Sequence, residues 1–326
     1  MKSDDEKLRE LFEVDERPIL SRTIRKAKTL SIMRSIIISL MIIVVAGFVF
    51  LGSNSTALNI ISNRKKNSLI DWYNIAMPNA YVGYCQVNDG ITVGEINYSR
   101  FRFLGSKPIK DGDFTESYTY VPLINNKEEI YNGIDNYLLK TKDELTKKIA
   151  GYNKSGKHIM EFYHPLERFE NYSNDFEKLN EIDNNKLAEM SLSFDKPYSL
   201  EEVKAMIPKE VTLNWYWVDT YDPKELNYRV LDEYRVYGMK AIDRDGEASD
   251  PSQKFIDTIV KHKNSEDNNH IYEKIYNTLS GGNGEIKKDD LKIIGVVVSG
   301  DVKSLKTLKE KEFIKAATLG AVADKY

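Results

Sequence analysis

IIISLMIIVVAGFVFLG, Ile36 to Gly52, is an uncharged apolar run with arginine and lysine clustered before it and a long, polar, tyrosine-rich chain after it. Extended back to Ser31 across Arg34, whose side chain can reach an interface, the run covers residues 31–52. That is roughly 33 Å of helix against a hydrocarbon core about 30 Å thick. One transmembrane helix follows from the length. A cleavable signal peptide fits less well, because the segment ahead of the run exceeds a short charged leader and Ala46-Gly47 falls inside it rather than after it. Arg22, Arg25, Lys26, Lys28 and Arg34 stand immediately before the span, against Arg64, Lys65 and Lys66 some way after it. The positive-inside rule therefore predicts a cytosolic N-terminus and an extracytoplasmic C-terminal region at the cell membrane, with these five residues orienting the span.

The span divides the 326 residues into a tail over 1–30, the helix over 31–52, a polar connector over 53–68, and an outer region large enough for two ordinary domains. A net charge of −3 argues against direct nucleic-acid binding, which calls for a concentrated basic surface. The single cysteine, Cys85, permits no intramolecular disulfide and no thiolate-rich zinc cluster. It reads as a buried residue of a strand over Tyr81 to Val87. The outer region is thus expected to fold without staples, in a fragment beginning near Ser68.

In the tail, Leu8, Leu11 and Phe12 recur at helical spacing among Asp4, Asp5, Glu6, Glu10, Glu13, Asp15 and Glu16, with Ser3 as N-cap and Pro18 ending or bending the helix. So small a stripe has no core of its own. It either stays solvated or folds onto a partner. The basic stretch from Ser21 to Leu30 suits contact with anionic membrane lipid.

Beyond the membrane, Ala80 to Val87, Ile91 to Leu104 and Thr115 to Leu123 alternate, divided by turn signals at Asn88-Asp89-Gly90 and Lys110-Asp111-Gly112-Asp113. They predict a β meander inside a β-rich domain over 69–164, with a helix over Lys127 to Tyr152. Residues 165–184, rich in Asn, Asp and Glu, read as helix and linker. In the last domain, 185–326, Ala188, Met190, Leu192 and Phe194 share one strand face. Ser199-Leu-Glu-Glu202 is a capping box opening a short helix closed by Pro208. Val211, Leu213, Trp215 and Trp217 share a second strand face, as core. A third strand over Tyr234 to Ile242, helices over Gln253 to Lys263 and Asn268 to Leu279, and a central strand over Leu291 to Val298 complete a strand–helix–strand–strand–helix–strand order. That order predicts an α+β, ferredoxin-like sandwich, extended by a helix near Val302 to Lys309 and a strand near Ile314 to Val322.

Catalytic and metal motifs do not assemble. His158 and His164 lack the HExxH order, and a spacing of six puts them off one helical face. They read as surface histidines. Asp243-Arg-Asp-Gly-Glu247 lacks the terminal glutamate of a calcium loop, since Lys254 stands there, and reads as a turn. Gly281-Gly-Asn-Gly284 has no following Lys-Ser or Lys-Thr and reads as a connector. No cofactor, no metal site and no enzyme are expected.

The segments AEMSLSFDKPYSLEEVKAMIP (Ala188 to Pro208), LNWYWVDTY (Leu213 to Tyr221), GVVVSGDVKSLKTL and FIKAATLGAVAD (within Gly295 to Asp324) resemble the C-terminal domain of bacterial membrane-anchored sigma-factor regulators. The Leu11-Phe12 pair, the basic Arg25 to Lys28, the span and GEINYSRFRFLGSKPI (Gly94 to Ile109) resemble their N-terminal domain. The resemblance implies an anti-sigma factor, holding a sigma factor at the inner membrane face until an outer signal releases it. Residues 1–30 carry no His or Cys, so the zinc-binding sequestration of other families is not expected. Binding of a helix carrying Leu8, Leu11 and Phe12 in a groove of the sigma factor is the route left. The acidic tail would complement a basic DNA-facing surface. An outer-surface binding or assembly module, merely anchored by its tail and meeting a ligand or protein outside the cell, is the competing reading.

Overall fold

The computed structural model describes residues 17–121, 139–142, 149–153, 155–224, 226, 229–243, 246–265, 270–281 and 284–326. The chain is α+β, with antiparallel sheets behind one long helix, α1 (Arg17–Ile75). From Ser21 to Ser53 every residue of α1 is exposed. This is the one described helix long and apolar enough to cross a membrane.

Residues from Leu58 onward form a compact unit. The expected connector over Asn54 to Asn67 is instead part of α1. Leu58, Ser62, Leu69, Trp72, Tyr73 and Ile75 are all buried, with Ile61 and Lys65 partly so. Their spacing of three and four residues makes a stripe along this half of the helix. Ser62 and Lys65 within the stripe make it look polar on paper.

Strands β1 (Ala80–Asp89), β2 (Val93–Leu104) and β3 (Lys107–Thr119) form the expected meander. The second turn is not at Lys110 to Asp113. It is the two-residue loop Gly105-Ser106, where Leu104 pairs with Lys107 and Gly105 takes φ +58. Lys110 to Asp113 lies inside β3, and the register there shifts between Ser99 and Phe101. Cys85 is half-buried beside a second irregularity, in β1.

Strands β4 (Leu139–Lys142) and β5 (Ile149–Tyr152) pair with each other, contrary to the helix expected over Lys127 to Tyr152; the rest of that helix falls outside the described residues. Then follow β6 (Glu161–Phe162), β7 (Leu187–Tyr198), α2 (Leu200–Met206), β8 (Thr212–Val218), β9 (Leu231–Asp232), β10 (Gly238–Lys240), β11 (Ile242–Asp243), β12 (Gly246–Glu247), α3 (Pro251–His262), α4 (Ile271–Ser280), β13 (Ile293–Asp301), α5 (Val302–Lys306) and β14 (Ile314–Ala323). The capping box forms as read: Glu202 N donates to Ser199 Oγ at 3.3 Å, and Ser199 N donates to Glu202 Oε2 at 2.7 Å.

The main sheet runs β10-β8-β13-β7-β14, antiparallel throughout. This is not the ferredoxin-like order. There the hairpin strand following the second strand sits between the first and second; here β13 takes that place and three-residue β10 is an edge. The apolar content explains the exchange: all of Ile293 to Gly300 is buried, which suits a centre, and β10 is too short for one. Ala188, Met190, Leu192 and Phe194 enter the principal core as expected. Trp215 and Trp217 are buried in a second cluster with Met160, Phe162, Val236, Ile294 and Val297 on the other face. Val211 and Leu213 are not with them. Val297 pairs with Trp215 and Val298 with Leu213, so Asn214 is the extra residue of a bulge that turns Leu213 to the principal core. The stretch 165–184 is packed rather than a free linker: Phe176 and Leu179 are buried, and Ser173 to Asp175 covers the outer edge of β14 at Ala317.

A fragment of the outer region should accordingly begin at Leu58 rather than at Ser68. We expect fragment 58–326 to unfold cooperatively in urea. Fragment 68–326, lacking Leu58 and Ile61, should be less stable by about 2–5 kcal/mol, the cost of emptying a buried leucine site. Equal midpoints would show that this part of α1 adds nothing.

Candidate functional site

The site is built on β2. Its inward face reads Ile96, Tyr98, Arg100, Arg102 and Leu104, so strand alternation carries two arginines into the core. Arg102 is fully buried, and each of its guanidinium nitrogens has an acceptor. Its Nε donates to Asp111 Oδ2 at 2.6 Å, one terminal nitrogen to the Pro78 carbonyl at 2.9 Å and Glu189 Oε1 at 3.3 Å, and the other to Glu233 Oε1 at 2.8 Å. Lys157 Nζ donates to both oxygens of Glu233 at 2.7 Å. Asn79 Nδ2 donates to Glu189 Oε1 at 2.7 Å, and Asn153 Nδ2 to Asp111 Oδ1 at 3.0 Å. Arg100 lies with its Nε 2.9 Å from Asp111 Oδ2 and its guanidinium 4.5 Å over the Phe114 ring.

Among the described residues, three cations (Arg100, Arg102, Lys157) thus meet three carboxylates (Asp111, Glu189, Glu233), all buried. Burial alone would push both Asp111 and Glu233 toward the neutral acid. Arg102 and Lys157 outweigh it and hold both carboxyls below the ordinary range. Burial likewise pulls Lys157 down from its usual value. These acids converge on cations of the chain itself, and no cluster among the described residues is fit to hold a metal ion.

A second junction lies on α1. Trp72 packs edge-on against Tyr237 at 6.0 Å and Tyr272 at 5.8 Å, while Tyr73 packs edge-on against Tyr98 at 6.1 Å. Asp71 Oδ2 accepts from Lys261 Nζ at 2.6 Å and lies 2.8 Å from His262 Nε2. Lys65 reaches Glu116 at 3.7 Å. The last turns of α1 are therefore gripped from one side by the meander and from another by α3, α4 and the segment before β10.

Of the residues singled out by sequence, Leu8, Leu11 and Phe12 lie outside the described residues. Arg22, Arg25, Lys26, Lys28 and Arg34 are exposed along α1. His164 is not a surface residue, being buried with its Nε2 3.2 Å from Asp219 Oδ1, while His158 is half-buried with its Nδ1 2.6 Å from the Leu319 carbonyl. The charge cluster has one signal in the sequence, two arginines on the apolar face of Ile96-x-Tyr98-x-Arg100-x-Arg102-x-Leu104, which call for buried partners.

Comparison with known families decides the identity. The sigma factor regulator N-terminal family matches residues 21–109, and the sigma factor regulator C-terminal family matches residues 179–321. The chain belongs to the sigma factor regulators. No curated protein and no solved structure matches it. The family is regulatory rather than catalytic, and its domains suggest that the regulator acts on a sigma factor. Against these boundaries the charge cluster gains meaning. Arg102 comes from the N-terminal domain, Glu189 and Glu233 from the C-terminal domain, and Asp111 and Lys157 from the intervening segment.

Removing one member of such a network strands the others. Arg102→Met in fragment 58–326 should cost about 3–5 kcal/mol in urea unfolding. For the wild-type regulator, carboxyls depressed in the fold contribute stability that is complete above about pH 4, where the unfolded chain ionises, and declines as pH falls further. In Arg102→Met, Asp111 keeps only Arg100 and Glu233 only Lys157 as counter-charge, so both carboxyls move back toward their unfolded values and the decline below about pH 4 should become shallower. An unchanged midpoint and an unchanged pH profile would remove Arg102 from the centre of the site.

Proposed function

We propose that this regulator is a single-pass, membrane-anchored anti-sigma factor. Residues 31–52 span the membrane, the N-terminal tail lies in the cytosol, and the outer region receives an extracytoplasmic signal. The observation that carries this reading is the continuity of α1. One helix holds the basic segment, the exposed apolar stretch and the buried stripe that both family domains grip. A change in how the outer region holds Trp72 and Tyr73 has a direct covalent route to the tail. Leu8, Leu11 and Phe12 are the residues proposed to enter a groove of the sigma factor, with the surrounding acids facing its basic surface. Arg22, Arg25, Lys26, Lys28 and Arg34 orient the span and contact anionic lipid.

Leu11→Asp together with Phe12→Asp removes about 3–5 kcal/mol of apolar burial, on the order of a hundredfold or more in affinity. Transcription from the cognate sigma promoter, read by a reporter at matched membrane levels, should become constitutive. Replacing Arg25, Lys26 and Lys28 by Gln should act on insertion rather than on repression itself. Unchanged repression by the double Asp variant would exclude this segment as the sigma-binding element and leave the anchored surface module as the better reading.

A further inference from the structure

A cleft of about 610 Å³ opens between the tip of the β2–β3 hairpin and the β8 end of the main sheet. It is lined by Phe103, Gly105 and Ser106 of the N-terminal family domain and by residues of the C-terminal one. Its volume falls within the roughly 300–1,000 Å³ of small-molecule sites, which favour domain junctions. The floor is apolar, formed chiefly by Phe103, Ile207, Val211, Leu213, Tyr216 and Ile242. No acidic residue lines it. Lys204 and Lys209 do, both exposed, and neither forms an ion pair among the described residues.

The walls are fixed in advance. Gly105 N donates to Ser299 Oγ at 2.8 Å, and Ser299 Oγ donates to Asn214 Oδ1 at 2.6 Å, pinning the hairpin tip to the sheet. Tyr81 Oη donates to the Ile242 carbonyl at 2.7 Å and holds the opposite wall. A ligand entering here would not have to order the cleft first.

An apolar floor beside two exposed ammonium groups that form no ion pair among the described residues favours one chemistry. We propose that this cleft binds a small amphipathic carboxylate, its hydrocarbon body along the floor and its anionic head between Lys204 and Lys209. The proposal rests on the reading of the outer region as sensory and names the class of ligand it would recognise. Such a ligand would touch both family domains at once, beside the bond network that joins them.

The test uses the full chain in zwitterionic nanodiscs, titrated with octanoate, octanol and octylammonium by saturation-transfer NMR, with empty nanodiscs subtracted. Octanoate should bind saturably, about fivefold to tenfold more tightly than octanol, the range that two exposed ion pairs supply. Octylammonium should bind more weakly still. Lys204→Glu with Lys209→Glu, both at exposed positions, should reverse that order. Ser106→Trp, which fills the mouth without touching the core, should abolish binding of all three. Equal affinity for octanoate and octanol, or octanoate binding indifferent to these variants, would overturn the proposal. So would saturable binding of an acidic, apolar peptide without any of octanoate, which would make the cleft a protein-docking groove. No sigma factor enters the measurement, so its failure leaves the anti-sigma reading to its own test.

Discussion

Arg102 cannot be placed in this core without Asp111, Glu189 and Glu233, and that requirement organises the outer region. A guanidinium with no exposure to water must find its partners inside the protein, and each is delivered by a different part of the chain. Asp111 needs β3 to continue, bulged, through Lys110 to Asp113. Glu189 needs the second face of β7 to be covered rather than solvated. Glu233 needs the loop after β9, and it brings Lys157 with it. A network of this kind adds little net stability over well-packed apolar residues, but it tolerates few alternative arrangements. It links the two family domains where they meet.

The same meeting point supports α1. Aromatic edges from the meander and from α4 close on Tyr73 and Trp72, and Asp71 is held by Lys261 and His262. A helix gripped at neighbouring residues by two domains is sensitive to any change in their mutual angle, because side chains one position apart face different partners. The buried charges and the cleft at the hairpin tip both lie at that junction. The two family domains and the end of α1 thus meet through a small set of contacts near residues 71–73 and 102.

Local chemistry made much of the fold legible. Residues 187–194 alternate because one face is core, Ser199 and Glu202 cap each other because a helix start leaves donors unmet, and seventeen uncharged residues in a row form part of the one described helix long and apolar enough to cross a membrane. What stayed hidden was non-local. The stripe on α1 after Leu58 contains Ser62 and Lys65, and only Glu116, far along the chain, makes Lys65 a packing residue. Asp111-Gly112 has the composition of a turn, yet Gly105-Ser106 bends the hairpin and Asp111 is a buried counter-ion. The sheet order followed from which strand was long and apolar enough for the centre, a comparison between strands that element order alone does not make. The charge cluster was visible only as two arginines out of place on an apolar face.

The central claim is that the buried charges make the two family domains and the end of α1 one cooperative body. Hydrogen exchange on the full chain in nanodiscs, resolved by peptide, tests it most directly. The backbone amides of α1 from Leu58 to Ile75, of β2, of β7 and of β13 should open together, with one common free energy that falls by the same amount in all four when Glu233 is replaced by Gln. If α1 and β2 exchange freely while β7 and β13 remain protected, and Glu233→Gln moves only one group, the domains are independent and the account fails.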